Sequence, residues 1–326
     1  MNRISNNCPP QFANNPTSQK HSRDKSLDAV AGILMSVVIL LHGGLLRSEP
    51  FSVMHILGFF MPWFFFKAGM FQKQQKLSKK TLLKYLKRYV VPALFCVLLT
   101  TVYGFLYNRF MGGGADYYPD ILWFIEALLI SKVLFDFVPD KKAYYIVIAV
   151  IAFVISDIIS RCNFDLPLIL KETPMALFYM ATGFLLKDIQ YVKSKQGLYI
   201  LLLVVVYALF IVLIPSKVDM RLGVIRYGIF EIAVFGNVAG IVLINNIAKI
   251  VEDYVPGVIL YIGRESMSYY VLHMLIMSSI GGLLLITGMN HDSQSYLYIR
   301  PIAVFFVVPL IICLLGKIKL SWLLGK

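Results

Sequence analysis

Two histidines lie deep in apolar stretches: His42 near the end of SLDAVAGILMSVVILLHGG, and His273 in MSYYVLHMLIM. Imidazole exchanges its proton at about pH 6.5, so it is well matched to taking a proton from an attacking hydroxyl near neutrality. Lys67, Glu126, Lys132 and Glu231 also fall inside apolar segments. Ionisable groups in such places are costly and mark functional sites by default. Counting back from His42 at 100° per residue brings Val38, Met35, Ala31 and Asp28 to one helix face. Asp28 and His42 then share a stripe, about 21 Å apart along the axis. Glu126 and Glu231 fall at a depth close to that of His42, and either is a candidate partner for a histidine.

The second histidine stands in VPGVILYIGRESMSYYVLHMLIM. Ser266 is the expected N-cap of the helix that carries it, with Tyr269, Tyr270 and His273 following on the same face. Ser266 and Tyr270 could donate hydrogen bonds to a developing oxyanion. Lys67 belongs to FFMPWFFFKAGMF, where Pro62 predicts a helix kink.

The elements that must hold these residues are membrane helices. The 326 residues are 58% hydrophobic and only 15% charged, with a mean hydropathy of +0.72. Ten apolar segments can be marked, at roughly 27–46, 51–71, 89–108, 121–138, 143–160, 172–187, 197–214, 225–248, 258–288 and 301–316. Residues 1–26 read as a flexible polar tail without a signal-peptide core, and 27–320 as a single polytopic transmembrane domain. With the N-terminus cytoplasmic, twenty Lys and Arg fall on the inner side and eight on the outer. The outer set includes Lys217, Arg221 and Arg226. That bias predicts an all-α integral membrane protein of about ten helices with both termini cytoplasmic.

The net charge of +13 is therefore assigned to topology and not to nucleic acid. QKQQKLSKKTLLKYLKR, Gln72 to Arg88, reads as a basic stretch lying at the anionic inner leaflet, where it can also gather a polyanion such as coenzyme A. The four cysteines form no close pair and no metal-ligand spacing, so neither a disulfide framework nor a metal site is expected. The sequence contains no nucleotide-binding glycine loop, which argues against an ATP-driven pump.

Four stretches resemble the acyltransferase-3 family of bacterial membrane O-acyltransferases. In the first helix Asp28, Gly32 and His42 sit at the places of the family's opening pattern. MPWFFFKAGMF (Met61 to Phe71), LWFIEAL (Leu122 to Leu128) and GRESMSYYVLH (Gly263 to His273) resemble its later motifs. The resemblance spans residues 26 to about 316. It implies transfer of an acyl group, by default acetyl, from acetyl-CoA as a donor substrate and not a permanently bound cofactor. The implied acceptor is a hydroxyl of a sugar, glycan or lipid-linked glycan, and the setting is the bacterial inner membrane. It further implies catalytic roles for His42, Asp28 and His273; Glu126, Ser266 and Tyr270 are expected to contact substrate, as is Lys67, although Lys67 departs from the family's usual residue. Where the family carries Arg or Lys, eleven positions before the first-helix histidine, this chain has Ala31. Lys67, expected at the same depth, is the candidate replacement. Two other readings remain open at this point: a secondary transporter or flippase using the buried charges as a proton relay, and an inactive relative.

Overall fold

The computed structural model describes residues 23–46, 56–73, 78–111, 122–162, 164, 166–188, 196–212, 215–291 and 293–326. Most of the expected tail, residues 1–22, lies outside them. Helix α1 (Lys25–His42) starts slightly earlier than hydropathy suggests, because Asp24 caps it: its carboxylate accepts from the Ser26 N–H at 2.9 Å. Helix α2 (Phe60–Met70) contains Pro62 in its first turn. No N–H is required there, so the expected kink is absent.

Ser78 caps α3 (Lys79–Tyr85), which runs through a π-helical turn (Leu86–Val90) into α4 (Val91–Met111). The basic stretch from Lys79 onward is therefore the first part of a continuous 31-residue rod, Lys79–Arg109, rather than a separate surface helix. Helices α5 (Leu122–Asp136), α6 (Lys142–Cys162), α7 (Leu168–Leu186) and α8 (Gln196–Val212) follow. A short antiparallel hairpin then intervenes, β1 (Lys217–Asp219) pairing β2 (Val224–Tyr227). It was not expected of an all-α chain. The extended run VIRY lies between Gly223 and Gly228, both at positive φ, so the next helix cannot begin until Phe230.

The last elements are α9 (Phe230–Val251), α10 (Gly257–Arg264), α11 (Ser266–Ile286), α12 (Gln294–Lys317) and a 3₁₀ turn (Ser321–Leu324). The long ninth segment is thus two helices broken at Glu265. Glu265, not Ser266, occupies the N-cap position of α11, and it makes no side-chain cap bond. Among the described residues, six helical stretches are long and apolar enough to cross a membrane: α1, the α3–α4 rod, α6, α9, α11 and α12.

Small residues set the packing. A methyl group on Gly32 would collide with the Ile259 carbonyl, and one on Gly263 with the Asp28 carbonyl, so α1 and α10 touch backbone to backbone. Gly69 and Gly183 do the same for α2 and α7. Trp63 of α2, fully buried, donates to Asn245 of α9 at 2.8 Å. Leu98, Phe105, Leu202, Phe306 and Leu310 stay on the outside of the bundle, as lipid-facing side chains do.

Candidate active site

His42 and His273 meet. Their rings stand edge to face with centroids 5.1 Å apart. Depth counted along an uninterrupted ninth segment separates them. The break at Glu265 removes that separation, since α10 takes up the first part of the segment and α11 starts afresh beyond it. Each ring is tied to its own helix: His42 Nδ1 lies 2.9 Å from the Val38 carbonyl, and His273 Nδ1 lies 2.8 Å from that of Tyr270. A carbonyl only accepts, so both Nδ1 atoms carry hydrogen, and in the neutral rings both Nε2 atoms present a lone pair. His273 is fully buried, and its Nε2 has no hydrogen-bond partner among the described residues. His42 is exposed. Arg300 of α12 secures the end of α1 by donating to the Gly43 carbonyl at 3.3 Å.

Tyr270 joins this pair, with its ring 5.9 Å from His273 and 5.0 Å from Phe124. Phe124 in turn packs on Phe64, Phe65 and Trp123. This aromatic cluster parts two cavities. One, of about 430 Å³, is lined by Phe64 and Phe124; the other, of about 470 Å³, by Pro62 and Trp123.

The first cavity is cationic. Lys67, Lys73, Lys84, Arg88 and Lys132 line it, together with Ser266, and no carboxylate does among the described residues. A polar brace below it fixes the wall. Buried Asp136 accepts from Gln72 at 3.1 Å and from the Tyr85 hydroxyl at 2.6 Å, while Lys132 donates to Gln72 at 3.2 Å. The π turn delivers Arg88 and Tyr89 to the same space. Five cations, with the nearby Asp136 taken up by Gln72 and Tyr85, suit a ligand carrying several phosphates.

Asp28 is not beside the histidines. It is buried at the start of α1 and held by Arg23, whose Nε and Nη2 lie 2.7 and 2.9 Å from its two oxygens. Lys67 approaches the same turn, donating to the Leu27 carbonyl at 3.3 Å and covering the Trp63 ring at 5.0 Å. Ala31 is fully buried, and two cations stand one turn before it. Arg23 went unrecognised because it reads as part of the tail.

The carboxylates resolve differently from expectation. Glu231 pairs with Arg161 at 2.6 Å, both partly in solvent, so it is not a histidine partner. Glu126 is exposed, with the carboxylate of Glu172 as an electrostatic neighbour. Glu172 itself is 1% exposed, has neither oxygen hydrogen-bonded among the described residues, and interacts with Arg221 and Tyr270. It escaped notice because hydropathy starts its segment at that residue, whereas α7 begins at Leu168. A carboxylate one helical position from Thr173-Pro174 was the available signal.

A helical bundle with six membrane-length helices among the described residues fits a multi-pass membrane protein, and it holds a histidine contact and two cavities. Residues 24–316 match the family model for the acyltransferase domain of the acyltransferase-3 family, and the chain belongs to that family. No curated protein and no solved structure matches it.

Proposed function

We propose that the protein moves an acetyl group from acetyl-CoA to a hydroxyl of a sugar, glycan or lipid-linked glycan, with His42 as the general base. The observation that carries this is the edge-to-face contact of His42 and His273, next to the aromatic cluster that separates a phosphate-suited cavity from a second one. In the reaction the acceptor oxygen bonds to the thioester carbonyl, its proton passes to Nε2 of His42, and the C–S bond breaks. The proton then leaves with the coenzyme A thiolate as the thiol. His273, buried behind His42, keeps that ring in place. Tyr270 and Ser266 are the nearby hydroxyls for the oxyanion, and Glu126 and Glu172 lie on the acceptor's side. The basic end of the bundle faces the cytoplasm in this reading, which places ten crossings in the inner membrane with both termini inside.

The experiment is acetyl-CoA turnover by the full chain in lipid nanodiscs, reading free coenzyme A with and without an acceptor glycan. Acceptor-dependent release supports the reading, while binding or movement of glycan without release would favour a transporter. Lys67→Met tests the donor side: KM for acetyl-CoA rises about tenfold with kcat little changed, as loss of a uniform binding contact requires. An unchanged KM rejects Lys67 as the replacement cation.

A further inference from the structure

The second cavity is roofed by the hairpin between α8 and α9, and its lining combines aromatic faces with charge. Trp123, Tyr207 and Tyr227 contribute rings; Lys217, Arg221 and Arg226 contribute cations; Asp219 is the one carboxylate among the described lining residues. Asp219 is already engaged. Its Oδ1 accepts from the Arg221 and Leu222 N–H groups at 3.1 and 3.2 Å, and its Oδ2 takes the Arg226 guanidinium at 2.6 and 3.1 Å. It therefore shapes the hairpin turn and offsets Arg226 alone. Lys217 has no acidic partner among the described residues, and Arg221 interacts electrostatically with buried Glu172. The lining carries a surplus of positive charge on the side of the aromatic cluster away from the coenzyme-suited cavity.

We propose that this cavity binds an acceptor sugar bearing an anionic group, a carboxylate or a phosphate, with that group on Lys217 and the hairpin arginines and the sugar ring against Trp123. The inference deepens the acyl-transfer reading and rests on it for the word acceptor. About 470 Å³ falls within the ordinary range for small-ligand sites. Lysine and arginine supply charge-assisted hydrogen bonds to carboxylate and phosphate, and apolar aromatic faces cover the C–H side of a pyranose. Adjacent residues of α5 line the two cavities, Trp123 here and Phe124 there, so an acceptor held against Trp123 is one side-chain layer from the donor's space.

The test is equilibrium dialysis of glucuronic acid, glucose 6-phosphate and glucose against the full chain in nanodiscs. At least one of the two acids should bind about tenfold more tightly than glucose, the effect of one well-formed charge-assisted contact. The arm that wins identifies carboxylate or phosphate. Lys217→Met should remove most of that preference while leaving acetyl-CoA binding unchanged, which also reports that the variant is folded. Equal binding of glucose and both acids, or a preference that survives Lys217→Met, overturns the proposal. If an acid binds through Lys217 and no free coenzyme A ever appears with it, the site stands and the acyl-transfer reading fails.

Discussion

His42→Ala lowers acetyl-CoA turnover by about 10²- to 10⁴-fold, the range lost when a positioned general base is removed. Acetyl-CoA binding is expected to be unchanged, because His42 is not among the residues lining the cationic cavity proposed for the donor. The substitution is tolerable to the fold: His42 is exposed at the end of α1, and its Nδ1 bonds to a carbonyl of its own helix. His273→Ala is expected to slow turnover through placement, because the fully buried ring packs edge to face against His42. The two effects are not additive. Once His42 is gone, the loss of His273 has little left to disturb, so the double variant is about as slow as His42→Ala alone. The measurement is coenzyme A release at saturating acetyl-CoA, with elution as a single species as the control for folding. Full activity in His42→Ala would remove the base from the mechanism. Strictly multiplicative losses would show that the rings act independently.

The largest expected effect on stability comes from Gly263→Val. The glycine's missing side chain is what lets α10 lie on α1, and a Cβ there would overlap the Asp28 carbonyl and crowd the Gly32 N–H. Neither obstacle is the flexible tip of a side chain, so relief requires the helices to separate. Separation strips contacts from α1 where Arg23 and Lys67 converge on its first turns. We expect a loss of about 3 kcal/mol or more, enough to abolish accumulation of folded protein. Gly32→Val fails in the same way against the Ile259 carbonyl. Gly316→Ala is the control: nothing lies within 4 Å of the added methyl, and the residue is helical and exposed. It should be neutral or stabilise by up to about 1 kcal/mol. Thermal unfolding in detergent separates the cases. A folded, near-normal Gly263→Val would mean that α10 does not pack this way.

Much of the scaffold is legible in the sequence because lipid imposes it. Long apolar runs with basic ends can only be helices, and the matching of α1, α4, α6, α9 and α12 to marked segments follows from that. The Asp28–His42 stripe is equally legible, since it depends only on the helical repeat. The site is less so. Contact between His42 and His273 depends on where a helix restarts, and that was set by Gly263 meeting a carbonyl on another helix, a tertiary fact with no local signature. Arg23 looked like tail composition until Asp28 was seen to be its partner. Glu172 was hidden by hydropathy, which discounts a charged residue at a segment edge even when the helix extends beyond it. Pro62 is the opposite case: a proline kinks a helix from its interior, and this helix begins only two residues before it.

The partition formed by Phe64, Phe65, Trp123, Phe124 and Tyr270 has a consequence for how the protein uses energy. In the proposed direct transfer the thioester end and the acceptor hydroxyl meet beside this partition, while the polar bodies of the two ligands stay in their own cavities. Under the proposed reaction the thioester bond itself supplies the driving force for vectorial delivery, and no alternating opening of the bundle is needed. The bilayer's barrier to ions then stays sealed through every turnover, so catalysis in vesicles should proceed without collapsing an imposed proton gradient.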